Sequence, residues 1–336
     1  MAETDLRPFA ARVVIVLGIA AAMAILWTVS DVLVLAFGGI LMATALRALS
    51  DPLARRSSLS PRLALATVLV ALVAVTAGVG LVLGERLTQE AGQLLKMVPE
   101  AIGKARTWAQ GSPLGQILLH TLGGTGKQSL AGLAGFASGT FGMLAELLVV
   151  LFLGIYFAVD PELYRRGALR LVPHSARKRT DAALVAVGQA LRNWLRGQLV
   201  SMAVVGVITG VGLWLMGVRL ALSLGVVAGL MEFIPFVGPF LAAIPAILVG
   251  FAQGPTGALW VAVFYLGIHQ LEGNILMPLV QRWAVSLPPA LAVAAVVVFG
   301  LLFGLFGVLF ATPLMIVVMV FIRKLYVEPV IDEAPP

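Results

Sequence analysis

The sequence predicts an all-α, polytopic membrane protein with about eight transmembrane helices. Of its 336 residues, 60% are hydrophobic and only 12% are charged, whereas about a quarter of the residues of a soluble globular domain are charged. The apolar runs are about 20 residues long, the length that a helix needs to cross the hydrocarbon core of a bilayer. Lipid accepts this much apolar surface provided that helices satisfy the backbone hydrogen bonds.

The apolar runs define the predicted spans. They cover residues 10–29, 32–49, 63–84, 140–159, 197–217, 221–250, 257–280 and 289–322. The spans and the polar segments between them divide the chain into five regions. These regions are N-terminal transmembrane helices at 1–84, an extracytoplasmic amphipathic helical region at 85–139, the fourth span with a basic segment at 140–196, a C-terminal core at 197–322 and a tail at 323–336.

Positive charge orients these spans. Arg and Lys are concentrated after the second span, between the fourth and fifth spans, and after the last span at Arg323 and Lys324. Because cytoplasmic loops carry an excess of Lys and Arg, we expect these segments and both termini in the cytoplasm. This topology explains the net charge of +7, which does not indicate nucleic-acid binding. Residues 181–196 are predicted to form a second amphipathic helix, with Trp194 at the surface of the cytoplasmic leaflet.

Several kinds of chemical site are excluded by what the sequence lacks. The chain has no cysteine, so it can form neither a disulfide framework nor a thiolate metal site. Gly123–Lys127 resembles a phosphate-binding loop, but the full pattern needs Gly at 121 and Ser or Thr at 128. The chain has Thr121 and Gln128 at these positions. We therefore expect no ATP binding, no enzymatic activity and no cofactor.

A cluster of helix-breaking residues interrupts the sixth predicted span, at Pro235, Gly238, Pro239 and Pro245. Each proline removes an N–H donor and clashes with the preceding helical turn. In lipid, such a break is tolerated where protein or a water-filled cavity shields the freed backbone groups. Transporters use broken helices of this kind to bind substrates near the midplane. We predict a broken or re-entrant element that faces the protein interior; the alternative is a kinked helix with a structural role.

Glu232 lies beside this break, within an apolar segment. An acidic side chain at membrane depth is costly and defaults to a functional hypothesis. It could bind a cation, carry a proton or pair with a substrate. The alternative is a structural salt bridge or a position near the membrane interface.

A second polar cluster lies in the seventh predicted span, at Gln270, Glu272 and Asn274. In an apolar span these side chains need interior partners or water. We interpret them as part of a pathway for a polar substrate or an ion; the alternative is a hydrogen-bond network that holds the helices together. His269 and Glu272 have a spacing that suits a metal ion, but without a third ligand no metal site is predicted. Pro278 breaks the helix after this cluster.

The eighth predicted span is also interrupted, at Gly307 and Pro313 among others. Ala311–Leu314 echoes Ala243–Ala246, which suggests that spans five and six and spans seven and eight are two copies of one unit. Paired, interrupted segments point to a binding site at the interface of such units. The alternative is that so short a match arises by chance among apolar residues.

Two further glycine patterns permit close contact between helices. Gly206 and Gly210, and likewise Gly225 and Gly229, have the spacing that lets helix backbones approach each other. In a chain with 36 glycines, this spacing does not indicate which helices meet.

At these motifs the sequence resembles the AI-2E family of transporters, also called the autoinducer-2 exporter or PerM-like permease family. The resemblance rests on Arg196-Gly197-Gln198 at the start of the fifth span and on Gly225–Pro245 with its core Glu232–Pro239. It rests further on Gln270–Asn274 leading to Pro278 and on Gly307–Pro313, and Tyr156 and Asp160 resemble the family pattern at the end of the fourth span. It is good over residues 140–322, and before them it is mostly one of hydropathy and topology.

The resemblance implies a bacterial cytoplasmic (inner) membrane, transport without ATP, and homo-oligomers. Substrates attributed to the family include the quorum signal autoinducer-2, and some members are described as sodium/proton antiporters. Gln198 joins the predicted pathway because it belongs to one of the matching motifs.

We therefore predict a secondary exporter of a small polar solute such as autoinducer-2. Glu232, Gln270, Glu272 and Asn274 would line its pathway, and the prolines and glycines of the helix breaks would shape it. One alternative is a cation/proton antiporter in which H⁺ or Na⁺ is the coupling ion at Glu232 or Glu272. Another is a scaffold or regulator that transports nothing. The expected partners are the lipid bilayer, the solute or cation, and further copies of the chain.

Overall fold

The computed structural model describes residues 17–18, 28–111, 140–235, 237–276, 278 and 287–332. This part of the chain is almost entirely helical and contains no strand. Four of its helices are long and apolar enough to cross a membrane. The predicted class, an all-α polytopic membrane protein, is confirmed. Most of the first predicted span, 10–29, lies outside the described residues.

The helices follow one another with short connections. In chain order they are α1 Ser30–Arg56, α2 Pro61–Gly111, α3 Thr140–Val159, α4 Pro161–Arg170, α5 His174–Leu215, α6 Ala221–Met231, α7 Val237–Ala252, α8 Pro255–Leu271, α9 Pro289–Leu309 and α10 Ala311–Ile322. Two π-helical segments, Glu272–Leu276 and Arg323–Asp332, follow α8 and α10.

Two helices continue beyond the spans predicted for them. α2 has 51 residues and passes residue 84, so the part of the predicted region 85–139 that is described extends the span directly. α5 has 42 residues and joins the predicted amphipathic helix 181–196 to the predicted fifth span. Neither boundary contains a proline, and the glycines there, Gly84 and Gly197, are tolerated inside a helix at modest cost.

The apolar face of residues 181–196 contacts protein rather than lipid. Leu191 and Trp194 lie in a hydrophobic cluster with residues of α1 and α10. Trp194 is only 4% exposed, and its ring meets Phe233 edge-to-face with 5.7 Å between centroids. The prediction that Trp194 lies at the leaflet surface is therefore wrong. Because α5 is continuous, it carries this face into contact with α1 and α10, which cover it.

α5 and α6 form a tight hairpin around four glycines. Gly206 and Gly210 of α5 face Gly225 and Gly229 of α6. A Cβ added to Gly225 would lie 2.7 Å from the Cα of Gly210, which is too close for a side chain. The contact that this spacing permits is thus made within one chain. It brings the end of α6 alongside the middle of α5.

Large apolar side chains cover the outside of the described helices. Leu81 is 86% exposed, Leu301 81% and Trp214 69%. Side chains of this kind need no further burial when lipid surrounds them, because lipid tails are as apolar as leucine. This exposed apolar surface agrees with a bundle embedded in a membrane.

Candidate functional site

A break in the chain separates α6 from α7. α6 ends at Met231 and α7 begins at Val237. Pro235 is buried between them and has no N–H to donate to a carbonyl one turn earlier. The chain resumes helical bonding when Gly238 donates its N–H to the Ile234 carbonyl at 2.8 Å. The predicted interruption of the sixth span is confirmed.

Glu232 is the first residue after α6, and it is buried, with 2% of its surface exposed. The Ser201 hydroxyl donates to its Oε1 at 2.9 Å. The Gln198 side-chain amide donates to its backbone carbonyl at 2.5 Å. Ser201 and Gln198 are three residues apart, so they lie on one face of α5. α5 therefore holds both the side chain and the backbone of Glu232.

The other carboxylate oxygen of Glu232, Oε2, has no hydrogen-bond partner among the described residues. A second acid, Glu272, is 3% exposed and interacts electrostatically with Glu232. Two carboxylates that are shielded from water disfavour each other's ionised form.

Glu272 lies where α8 widens into the π-helical segment Glu272–Leu276. Single π-helical turns interrupt the α-helical register and recur at functional sites. The Nδ1 atom of His269 lies 3.6 Å from Oε2 of Glu272. The His269 ring packs on Phe240 of α7, with 4.8 Å between centroids. Because the His269 side chain is 33% exposed, it connects the buried acids to the surface of the described structure.

Metal binding receives no support from the side chains around this site. Within the described ranges, no group of three or more imidazole and carboxylate side chains converges closely enough to hold a metal ion. Glu232 and Glu272 contribute carboxylate oxygens, and His269 adds one imidazole. These are fewer than the roughly four protein ligands that a structural transition-metal site takes.

Comparison with known protein families shows to which family the chain belongs. A sequence profile described as AI-2E family transporter matches residues 14–326. The chain belongs to the AI-2E transporter family. The matched range includes every residue of the site around Glu232. It also includes the N-terminal spans, which resemble the family mostly in hydropathy and topology.

This AI-2E chain is similar to proteins that are named as candidate transport proteins. It is 34% identical to YrrI of Bacillus subtilis over 162 residues, which are 48% of this chain and 46% of YrrI. It is 31% identical to the candidate permease PerM of Escherichia coli over 190 residues, 56% of this chain and 52% of PerM. The chain spans about half the length of these relatives.

Three of the predicted pathway residues of the AI-2E chain are buried near the break. Gln198 and Glu232 are in contact, and Glu272 interacts with Glu232. Gln270 and Asn274, by contrast, are exposed. Each is two residues from Glu272, so a helical backbone points it to a different side. Their place in a pathway stays a prediction.

Ser201 is a member of the site that the sequence reasoning missed. The available signal was a polar residue three positions after Gln198, on the same face of an otherwise apolar helix. Serine is common in membrane helices, where it often bonds to the backbone of its own helix. Ser201 can be assigned to the site only once the structure shows that it faces Glu232.

The predicted helix-breaking prolines occupy different positions in their helices. Pro239 and Pro313 are each the third residue of a helix, α7 and α10, where the N–H groups have no partner in the helix and proline is tolerated. Pro245 lies inside α7. In the predicted repeat Pro245 corresponds to Pro313, but by position within its helix Pro239 matches Pro313 better. The internal repeat stays a prediction.

The last predicted span is broken as expected. Gly304 has φ 60° and ψ −138°, a conformation that favours glycine. Gly307 follows and is buried, and a Cβ there would overlap the carbonyl group of Phe299. Pro278, the remaining predicted breaker, is exposed, and most of its neighbours lie outside the described residues.

Proposed function

We propose that this AI-2E chain is a secondary transporter that moves a small polar solute across the membrane without ATP, through a pathway that contains Glu232. The observation that supports this is a buried carboxylate at a helix break with only one oxygen bonded within the described structure. An acid in this setting is costly unless a ligand or proton uses it. The broken helix beside it allows the site to rearrange.

A hydroxylated solute such as autoinducer-2 fits the chemistry of this site. Oε2 of Glu232 offers an acceptor, and a solute hydroxyl would supply the missing donor. The hydrogen bonds from Gln198 and Ser201 would hold the acid in place while the solute binds and leaves. Export is the direction that we propose, in line with the family resemblance.

Cation/proton antiport is the second candidate, and the presence of Glu272 favours it. Two neighbouring buried acids exchange a proton for a cation readily, because either species relieves their repulsion. In this case Glu232 and Glu272 would be loaded alternately by H⁺ and Na⁺, and no organic solute would be needed.

Flux measurements in proteoliposomes test both candidates. We expect the unsubstituted chain to move autoinducer-2, and Glu232→Gln to abolish this flux because the amide cannot accept as the carboxylate does. Glu85→Gln is the matched control, since Glu85 is exposed on α2. Sodium-driven proton movement, lost in Glu232→Gln or Glu272→Gln, would identify the antiporter instead. No flux of either kind, together with cellular phenotypes unaffected by both substitutions, would indicate a scaffold.

The membrane and the assembly are part of the same proposal. We place the chain in a bacterial inner membrane with both termini in the cytoplasm, because its cations cluster on one side of the predicted spans. Further copies of the chain are the expected protein partners. Labelling of single cysteines from each side of the membrane tests this topology.

A further inference from the structure

The connection from α3 to α4 turns the chain through 89°. Asp160 caps α4 by accepting the N–H of Leu163 at 3.2 Å, and Pro161 occupies the first helical position, which suits proline. Tyr164 packs edge-to-face on Phe157 of α3, with 4.7 Å between centroids. If α3 crosses the membrane, as predicted for residues 140–159, this turn places α4 nearly parallel to the bilayer plane at the end of the span.

α4 is amphipathic, and none of its residues is buried. Leu163 is 61% exposed, and Leu171, which directly follows the helix, is 89% exposed. Tyr164, which is 42% exposed, lies seven residues before Leu171, so these two side chains share one side of the helix. Arg166 and Arg170, one turn apart, lie on the other side, and Leu163 lies at the border beside Arg170. An exposed apolar side opposite two arginines is typical of a helix that lies in the bilayer interface.

The connection between α4 and α5, which we call the elbow, is stabilised by two arginines. Arg165 pairs with Glu162 at 3.0 Å and with Asp181 of α5 at 3.5 Å. Arg177 of α5 donates to the Val172 carbonyl at 3.0 Å. These contacts keep the end of α4 against the start of α5, which brings the cations of the two helices close together.

Four other cations of this elbow are exposed and pair with no acidic side chain in the described part of the chain. They are Arg166, Arg170, Lys178 and Arg179, and together they form what we call the basic elbow. We propose that this basic elbow binds the anionic headgroups of phospholipids, with α4 lying in the leaflet surface. The headgroup phosphates match its charge, and the acyl boundary beneath them accommodates Tyr164 and Leu171. A nucleic acid would match the charge but leave these two side chains in water.

A single cysteine reports on this surface, because the chain has none of its own. Leu171→Cys is spin-labelled in the full-length chain and reconstituted into vesicles of phosphatidylcholine, with or without phosphatidylglycerol. Label depth is measured from collisions with oxygen and with a water-soluble nickel chelate. We expect the label at the interface, with less access to nickel when phosphatidylglycerol is present. A label equally open to nickel in both vesicles would overturn the proposal.

Charge substitutions test the headgroups directly. Arg166→Gln, Arg170→Gln, Lys178→Gln and Arg179→Gln, combined, should lower the preference of the purified chain for phosphatidylglycerol over phosphatidylcholine by at least about tenfold. The control keeps every charge: Arg166→Lys, Arg170→Lys, Lys178→Arg and Arg179→Lys should retain the preference. Equal preference in the two variants contradicts the proposal.

Two further measurements test the proposal even if the substituted chain fails to fold or a free anion binds instead. If the neutralised variant does not fold, the depth of the Leu171→Cys label in the otherwise unsubstituted chain decides alone. Inorganic phosphate should not displace phosphatidylglycerol from the basic elbow, since a membrane surface presents many headgroups together with apolar depth. Displacement at moderate phosphate concentrations would identify a free-anion site and contradict the proposal.

Discussion

Glu232 depends on two side chains of a different helix. Ser201 donates to its carboxylate and Gln198 to its backbone carbonyl. A hydrogen bond to a charged group contributes about 1.5–3 kcal/mol, and its effect is greatest where water is excluded. Glu232, which we predict to contact the transported species, is therefore positioned by Ser201.

Replacing Ser201 tests this dependence. Ser201→Ala removes the donor to Oε1 of Glu232, and we expect a loss of about tenfold or more in transport rate, from the hydrogen-bond energy that disappears. Ser201→Thr keeps the hydroxyl and should retain most activity. Initial rates in proteoliposomes give the comparison, with the exposed Ser175→Ala as control. Equal rates for Ser201→Ala and Ser175→Ala would contradict the assigned role.

At the scale of the helices, the α5–α6 hairpin determines where Glu232 lies. The four glycines at its contact let the two backbones approach closely. In a membrane, helices associate through close packing and hydrogen bonds rather than through the hydrophobic effect. A change in the distance between α5 and α6 would therefore separate Glu232 from Gln198 and Ser201.

Gly225→Ala should weaken this hairpin. The added methyl group would lie 2.7 Å from Gly210, and overpacking of this kind costs about 1–3 kcal/mol. Gly267→Ala is the matched control, because Gly267 lies in α8 with nothing within 4 Å of an added Cβ; there the change should be neutral or stabilising, by up to about 1 kcal/mol. Thermal unfolding of both variants in detergent measures the difference. An equal melting temperature for both would show that the contact is loose.

Across the whole molecule, one polar network joins helices that are far apart in the sequence. Arg47 of α1 donates to the last carbonyls of α3, at 2.6 Å for Ala158 and 3.1 Å for Val159. Asp51 of α1 pairs with Arg47 at 3.5 Å and with Arg192 of α5 at 3.4 Å. A cation at a helix C-terminus is stabilising because it meets unsatisfied carbonyls. This network brings the C-terminal ends of α1 and α3 and the N-terminal half of α5 to one side of the bundle.

That arrangement predicts the topology. α2 starts on the side of this network and continues for many residues beyond its apolar part, so its far end should lie across the membrane. In the chain without native cysteine, Thr107→Cys should react with an impermeant maleimide in spheroplasts. Ser175→Cys should react only in inverted vesicles. Labelling of both from the same side would disprove the proposed orientation.

The parts of the fold that could be predicted depend on local properties of the residues. Long apolar runs specify membrane helices, and the prolines around residues 235–239 specify a break, whatever surrounds them. α2 and α5 run on beyond the spans predicted within them, because a change from apolar to amphipathic sequence does not stop a helix when no breaker is present. Trp194 was misplaced for a related reason, since an apolar helix face packs equally well on lipid or on protein.

The sequence by itself determined the membrane class and the break after α6, because the length of an apolar run and the missing N–H of proline are local properties. It also singled out Glu232, whose role in transport stays a prediction. Only the tertiary structure decided that Ser201 and Gln198 hold Glu232, that Glu272 rather than Gln270 or Asn274 is buried, and that the paired glycines meet within one chain. These outcomes depend on which helix faces meet, and local sequence does not encode that.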